Sequence, residues 1–206
     1  MQLPEFNRLK TIEKTAREWR LKNFGARYEQ ASLGKLEVDA RTIELILGYM
    51  KNPKNMLVYM GEYGLGKTYF CAALSEWIVS SFNTYRYYKD SQLLKGLREG
   101  ISEGFGDYLG ALKYKIDDEL VILDDVGNGI NPDQISYKDL EWRREILLEF
   151  LDYRYNTTLP TIITSNFSRA QFLQVYDKRI SSRLFATENT FIEVFGEGLD
   201  KRQMGM

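Results

Sequence analysis

The hydrophobic positions of this chain divide into an opening helical stretch and a longer alternation of strands and helices. Over residues 5–22, Leu9, Ile12, Ala16 and Trp19 fall at spacings of three and four, which predicts an amphipathic helix. A second helix is predicted over 38–51, "VDARTIELILGYMK", closed by Asn52 and Pro53. From there the period changes. Strands are predicted at "NMLVYM" (55–60), "TYRYYK" (84–89), "ELVILDD" (119–125), "PTIITS" (160–165) and "NTFIEVF" (189–195). Helices are predicted between them: Lys67 to about Phe82, 91–101, 137–156, 168–176 and 179–186. The strand runs are almost continuously apolar, as a sheet covered on both faces requires. Strands alternating with helices predict an α/β fold built on a parallel sheet.

Composition narrows this picture. At 206 residues the chain suits one well-buried domain. No apolar run reaches the roughly 18 residues of a membrane span, and "MQLPEFNRLK" lacks the apolar core of a signal peptide. The single cysteine, Cys71, excludes an internal disulfide framework and fits a reducing, cytoplasmic setting with no membrane partner. On its helix it reads as a small core residue. There is no histidine, which removes histidine acid–base chemistry, catalytic triads and nearly every zinc site. The 28 basic and 29 acidic residues nearly cancel, so overall charge does not advertise nucleic-acid binding. Within residues 1–30, however, seven Lys/Arg stand against four Glu, a local basic surface or simply a solvated face.

The candidate chemistry begins at "GEYGLGKT" (61–68), which satisfies G-x-x-x-x-G-K-[ST] between a predicted strand and a predicted helix. Its glycines allow the backbone to wrap phosphate with N–H groups inward, and the helix start adds a positive dipole end. Gly61, Glu62, Tyr63, Gly64, Leu65, Gly66, Lys67, Thr68 and Tyr69 are therefore expected to bind the nucleotide. Lys67 would reach the β and γ phosphates, and the Thr68 hydroxyl would ligate Mg²⁺. The strand "LVILDD" delivers Asp124 as the acid on the metal side and Asp125 as the residue that polarises water. Aspartate is one methylene shorter than glutamate, so its oxygen falls about 1.5 Å short unless the backbone compensates, a misplacement costing on the order of 100-fold in rate.

A third strand ends at Ser165-Asn166. Asn166 either orients water beside the γ-phosphate or is a turn residue at a strand end. In "DKRISSRLF", Arg179 and Arg183 lie four apart on one helix face, suiting either surface salt bridges or an arginine presented to a neighbouring subunit's ATP. The order "GEYGLGKT … LVILDDVG … TIITSNFS … KRISSRLF" resembles the AAA+ ATPases of the DnaC/DnaI helicase-loader and IstB group, and "RYEQASLGKL" looks like the segment preceding the core there. The resemblance covers about residues 25–202. It implies a P-loop fold of AAA+ type with five parallel strands in the order 5-1-4-3-2 and helices on both faces. It also implies an amino-terminal extension over 1–25 ahead of an ATPase domain at 26–206. Asn166 then matches sensor 1, Arg183 the arginine finger, Arg179 a neighbouring box arginine, and Arg202 a terminal basic residue near the nucleotide.

The implied cofactors are ATP and Mg²⁺, and the implied partners are a replicative hexameric helicase, single-stranded DNA, and further copies of the chain in a ring or spiral. Segments flanking the acid-pair strand line the DNA path in this family, which makes Phe105, Tyr108, Lys113, Tyr137 and Lys138 candidate DNA contacts beside the alternative of ordinary packing. The leading expectation is a helicase loader with slow, partner-stimulated ATP hydrolysis. An IstB-like transposition ATPase and a non-hydrolysing module that blocks a helicase or its loader are the alternatives. A P-loop kinase fits less well, because "KRISSRLF" sits in the AAA+ position. Loaders of this group usually carry a separate region that grips the helicase; here the stripe of Leu9, Ile12, Ala16 and Trp19 either serves that purpose or folds onto the protein's own core.

Overall fold

The computed structural model describes residues 3–102, 108–131 and 134–194. In chain order the described elements are α1 (Leu3–Phe24), α2 (Ala40–Lys51), β1 (Met56–Gly61), α3 (Lys67–Ala73), α4 (Ser75–Ser81), β2 (Tyr85–Lys89), α5 (Asp90–Ser102), α6 (Tyr108–Ile116), β3 (Leu120–Val126), α7 (Tyr137–Asn156), β4 (Thr161–Ser165), α8 (Arg169–Val175), α9 (Lys178–Leu184) and β5 (Thr190–Val194). The five strands form one parallel sheet in the order β2-β3-β4-β1-β5. Read from the other edge this is 5-1-4-3-2, the expected order.

Alternation along the strands divides the core into two layers. Met56, Val58 and Met60 of β1, with Val121 and Leu123 of β3, face one side and pack with Leu97, Phe150 and Phe172. Leu57 and Tyr59, with Leu120 and Ile122, face the other and pack with Ile46, Phe70 and Ile78. Every residue of β1 is buried, which explains why its sequence carries no polar alternation. Helix starts are set by side chains that satisfy otherwise unpaired backbone N–H groups. Asp39 accepts from the Thr42 N–H at 2.9 Å, and Ser136 from the Asp139 N–H at 3.1 Å. Ser168 and Gln171 form a reciprocal capping box at α8.

Three features differ from the sequence reading or decide between its alternatives. The helix expected over 67–82 is two helices that meet at Leu74. Helix α6 was not expected, since Gly104, Gly106 and Gly110 break the pattern around it. On α1 the apolar stripe is divided along its length. Leu9 is half-exposed, Ile12 is partly buried, Ala16 is buried, and Trp19 packs edge-on against Phe24 and Tyr85 at 5.3 and 5.8 Å. The buried Arg20 fixes the helix by donating to the Glu29 carbonyl at 2.9 Å and to Ser75 Oγ. The carboxyl-terminal half of α1 is therefore part of the packed core. Among the described residues, no helix is long and apolar enough to cross a membrane.

Candidate functional site

A cavity of about 680 Å³ opens at the carboxyl ends of the strands, where open α/β sheets place their ligands. Residues 64–69 form one wall, Asp125 and Asn166 close one end, and Tyr28, Leu36 and Glu37 stand among the residues of the segment ahead of β1 that face them. Tyr69 joins the two walls, its hydroxyl accepting the Ser32 N–H at 3.3 Å.

The phosphate loop has its shape for identifiable steric reasons. Gly66 caps α3 in the left-handed region at φ 79°, where a side chain is strained, and it is followed directly by Lys67 and Thr68 at the helix start. At Gly61 a Cβ would meet the Val194 carbonyl oxygen at 2.8 Å, so β5 closes on this loop only because the residue is glycine. Lys67 is buried, and its ammonium donates to the Gly61 and Glu62 carbonyls at 2.7 Å each. Of the nine loop residues expected to bind, Gly64, Leu65, Gly66, Lys67, Thr68 and Tyr69 line the cavity. Gly61 lies beneath them, while Glu62 and Tyr63 are exposed, and the Tyr63 hydroxyl donates to Asn128 Oδ1 at 3.2 Å.

Asp124 is fully buried, and its carboxylate is held by three hydroxyls from three elements. Thr164 of β4 donates to Oδ1 at 2.5 Å, while Tyr87 of β2 and Thr68 of α3 donate to Oδ2 at 2.8 and 3.1 Å. Burial raises the Asp124 carboxyl above its ordinary range, the neighbouring Asp125 charge adds to this, and the three hydroxyls oppose it. Burial beside Asp124 likewise pushes the Tyr87 phenol far up, so it remains a donor. Thr68 uses its proton on Asp124 and keeps its oxygen lone pairs for a cation. Two hard oxygen ligands beside a phosphate cradle fit Mg²⁺, which takes few protein ligands and completes its shell with water and phosphate oxygens.

Asp125 is built differently. The register slips between Leu123 and Val126, a bulge on β3. Within it Asp125 adopts φ 61°, a left-handed conformation in which aspartate is enriched and longer side chains are not. Its N–H donates to Thr164 Oγ1 at 2.9 Å, and Asn166 Nδ2 donates to its Oδ1 at 3.2 Å. One threonine hydroxyl thus serves both acids, donating to the first and accepting from the backbone of the second. The loop beyond is fastened again: Ser165 Oγ donates to the Val126 carbonyl at 2.8 Å, and Phe167 fills the space where a Cβ on Gly127 would stand. Thr164 and Tyr87 were not among the sequence candidates. Thr164 stands among other hydroxyl residues of the buried β4, and Tyr87 among the tyrosines of β2, so neither is singled out by its strand's sequence.

The two arginines lie elsewhere. Both are on α9, and neither lines the cavity. Arg179 pairs with Asp177, which caps the same helix, at 2.8 Å. Arg183 pairs with Asp152 of α7. Among the DNA candidates, Tyr137, the most exposed at 77%, and Lys138 stand in the first turn of α7, and Lys113 is exposed on α6. Tyr108 opens α6. Phe105 and Arg202 lie outside the described residues.

With this geometry in place, comparison with known proteins gives a consistent result. Residues 21–186 match the family model described as IstB-like ATP binding protein. Among solved structures, the chain is similar to one described as the DnaC helicase loader, with 24% identity over 81% of this chain and 99% of that one and a TM-score of 0.63. A structure of DnaI matches with 21% identity over 85% and 93% of the two chains, at a TM-score of 0.61. The replication initiator DnaA bound to AMPPCP and single-stranded DNA matches with 20% identity over 80% of this chain and 50% of that one, at 0.61. At these identities the structural likeness shows the shared fold. No curated protein sequence matches the chain significantly.

Proposed function

The chain belongs to the family of IstB-like ATP-binding proteins, and on that premise we propose that it is a helicase loader of AAA+ type that hydrolyses ATP slowly when engaged with its partners. The observation that carries the hydrolytic reading is the Asp125–Asn166 hydrogen bond at the cavity end next to the phosphate loop. Lys67 and the backbone of residues 64–68 hold the triphosphate. Thr68 and Asp124 would hold Mg²⁺ through oxygen, and the ion would supply charge neutralisation on the phosphates. Asp125 accepts a proton from the attacking water, and Asn166 fixes both the carboxylate and the water's approach.

Arg183 lies outside its own subunit's cavity, so it reaches a nucleotide only across an interface between copies. It then leaves Asp152 for the γ-phosphate of the neighbour and stabilises the charge developing there. Arg179 supports the same face of α9. In the resulting ring or spiral, α6 and the start of α7 present Lys113, Tyr137 and Lys138 for single-stranded DNA. The fold shared with nearly the whole chain described as the DnaC helicase loader supports the loader reading. The family's description supports a second one, an IstB-like transposition ATPase acting on duplex DNA.

Two measurements test these readings. ATP turnover is compared between wild type and Asp125→Ala, with and without single-stranded DNA. Background turnover by both, with ATP still bound, removes the hydrolase and leaves a nucleotide-gated binding module. Co-migration with a hexameric replicative helicase supports the loader, whereas retention on duplex DNA without helicase binding favours the transposition ATPase.

A further inference from the structure

The hydroxyl set around Asp124 includes one member whose ring packs against the amino-terminal helix. Tyr87 lies on the edge strand β2, where it pairs in register with Ile122, two residues before Asp124 on the same face of the sheet. Its hydroxyl donates to Asp124 Oδ2 at 2.8 Å, shorter than the 3.1 Å bond from Thr68 to the same oxygen. The ring itself is buried in the same core layer as Leu57, Leu120 and Ile122. It packs against Phe24, the last residue of α1, with centroids 4.4 Å apart and planes tilted by 54°. Phe24 in turn stands edge-on to Trp19 at 5.3 Å, and Trp19 to Tyr85, the first residue of β2, at 5.8 Å. The final turns of α1 thus clamp one of the two edge strands of the sheet, and the side chain under the clamp reaches the metal-side acid.

Edge strands are the least constrained part of a sheet, since they have ladder hydrogen bonds on one side only. Removing the aromatic cover from β2 would leave Tyr87 free to leave its rotamer. The Asp124 carboxylate would then keep Thr164 on one oxygen and Thr68 alone on the other. A buried carboxylate with a missing donor is desolvated without compensation, and its orientation loosens. The affected oxygen is the one shared with Thr68, the hydroxyl placed to ligate Mg²⁺.

We propose that Tyr87 is a positioning residue through which the docking of α1 onto β2 sets the orientation of Asp124, and hence the affinity of the site for metal-bound nucleotide. This rests on the reading of Asp124 and Thr68 as the Mg²⁺ side of an ATP site. It adds that the amino-terminal helix is wired to that site by an aromatic stack, so a partner that displaces α1 lowers the hold on Mg²⁺–nucleotide without touching the cavity.

The test is equilibrium binding of a fluorescent ATP analogue to the full chain, titrated with Mg²⁺ and repeated in EDTA. Tyr87→Phe keeps the ring and removes only the hydroxyl; Phe24→Leu keeps an apolar side chain and removes the stack. For Tyr87→Phe we expect affinity in EDTA within about twofold of wild type and the Mg²⁺ half-saturation point raised about tenfold, the size of one charge-assisted hydrogen bond. Phe24→Leu is expected to raise the same half-saturation point, and the double variant to go no further than Tyr87→Phe alone, as one chain of action requires. Tyr87→Phe with wild-type Mg²⁺ dependence overturns the proposal, and so does full additivity in the double variant. A wild-type chain that binds no analogue overturns the nucleotide reading itself and takes this inference with it, which keeps the two failures distinct.

Discussion

Asn166 Nδ2 donates to Asp125 Oδ1 at 3.2 Å, so the tips of β4 and β3 are joined by one side-chain hydrogen bond on the cavity side. If Asp125 activates water, Asp125→Ala should lower ATP turnover by at least about 100-fold while leaving the dissociation constant for ATP unchanged. Asn166→Ala should cost about tenfold in turnover, the scale of one lost polar contact. Steady-state phosphate release alongside equilibrium ATP binding checks both. Equal losses in binding and turnover would mean that the pair shapes the cavity and does not act on water.

The left-handed backbone at Asp125 gives a separate expectation. Asp125→Glu restores the reach of the longer acid but places it where only short polar residues and glycine sit comfortably. It should destabilise the fold by about 1 kcal/mol and should not raise turnover. Urea denaturation and phosphate release measure the two effects. A faster and equally stable Asp125→Glu enzyme would show that the bulge does not select aspartate.

Arg183 is paired with Asp152 within its own chain and lies outside its own cavity. A finger acting across subunits predicts that Arg183→Ala alone and Lys67→Ala alone both lose turnover, and that mixing them partly restores it. The intact phosphate loop of the first would be served by the intact arginine of the second. Mixtures that stay at the level of the separate variants would place Arg183 in a purely structural pair.

Asp90 lies under the loop that follows Asp125, accepting the Gly127 N–H at 3.3 Å and facing Arg143 at 3.4 Å. Burial pushes its carboxyl from 3.8 up to about 6, with Arg143 and the Gly127 N–H opposing and the Asp125 charge adding to the rise. Its folded-state value is therefore above its unfolded one, so between about pH 4 and 6 the folded state binds more protons. In this window the Asp90 contribution to stability grows as pH falls and declines as pH rises. The melting temperature of wild type relative to Asp90→Asn should accordingly increase on acidification from pH 7 to pH 4.5. A flat difference would place the Asp90 value near the ordinary one.

Arg154 is fully buried and donates to Thr161 Oγ1 and to the carbonyls of Ile116, Asp118, Glu119 and Pro160, gathering the entries of β3 and β4. Arg154→Met leaves those acceptors without donors and should destabilise the fold by at least about 3 kcal/mol in urea denaturation. The cavity is at the opposite ends of these strands, so nucleotide affinity at low urea should be unchanged.

The strands and the long helices were legible in the sequence because burial on both faces and amphipathic period leave strong, local marks. β1 reads as six buried residues, and α7 begins and ends as its pattern predicts. The phosphate loop and the acid pair were legible for a related reason: their chemistry needs fixed residue types at fixed spacing. Helix α6 was not, because its sequence is flanked and interrupted by glycines. Thr164 and Tyr87 were hidden for a different cause. Each acts on Asp124 from a neighbouring strand, and neither strand is a sequence neighbour of the acid in any pattern sense. Tyr87 precedes Asp124 by 37 positions and Thr164 follows it by 40. Their roles exist only once β3 lies between β2 and β4. The departure at Asp125 was visible as a residue type, yet its cause, the bulge, is a property of sheet register.

One wall of the cavity comes from a segment that is not part of the sheet. Tyr28, Leu36 and Glu37 reach it from between α1 and α2, and this stretch is tied to the core by Arg20 on the Glu29 carbonyl, by Ser32 on Tyr69, and by the packing of Leu33 and Leu36. A molecule filling the cavity would touch both this segment and the phosphate loop, strengthening the closure of the amino-terminal arm on the body of the protein. At a hundredfold excess over its dissociation constant a ligand adds about 2.7 kcal/mol to that closure. Nucleotide binding is therefore expected to lower protease access to the chain around residues 26–37.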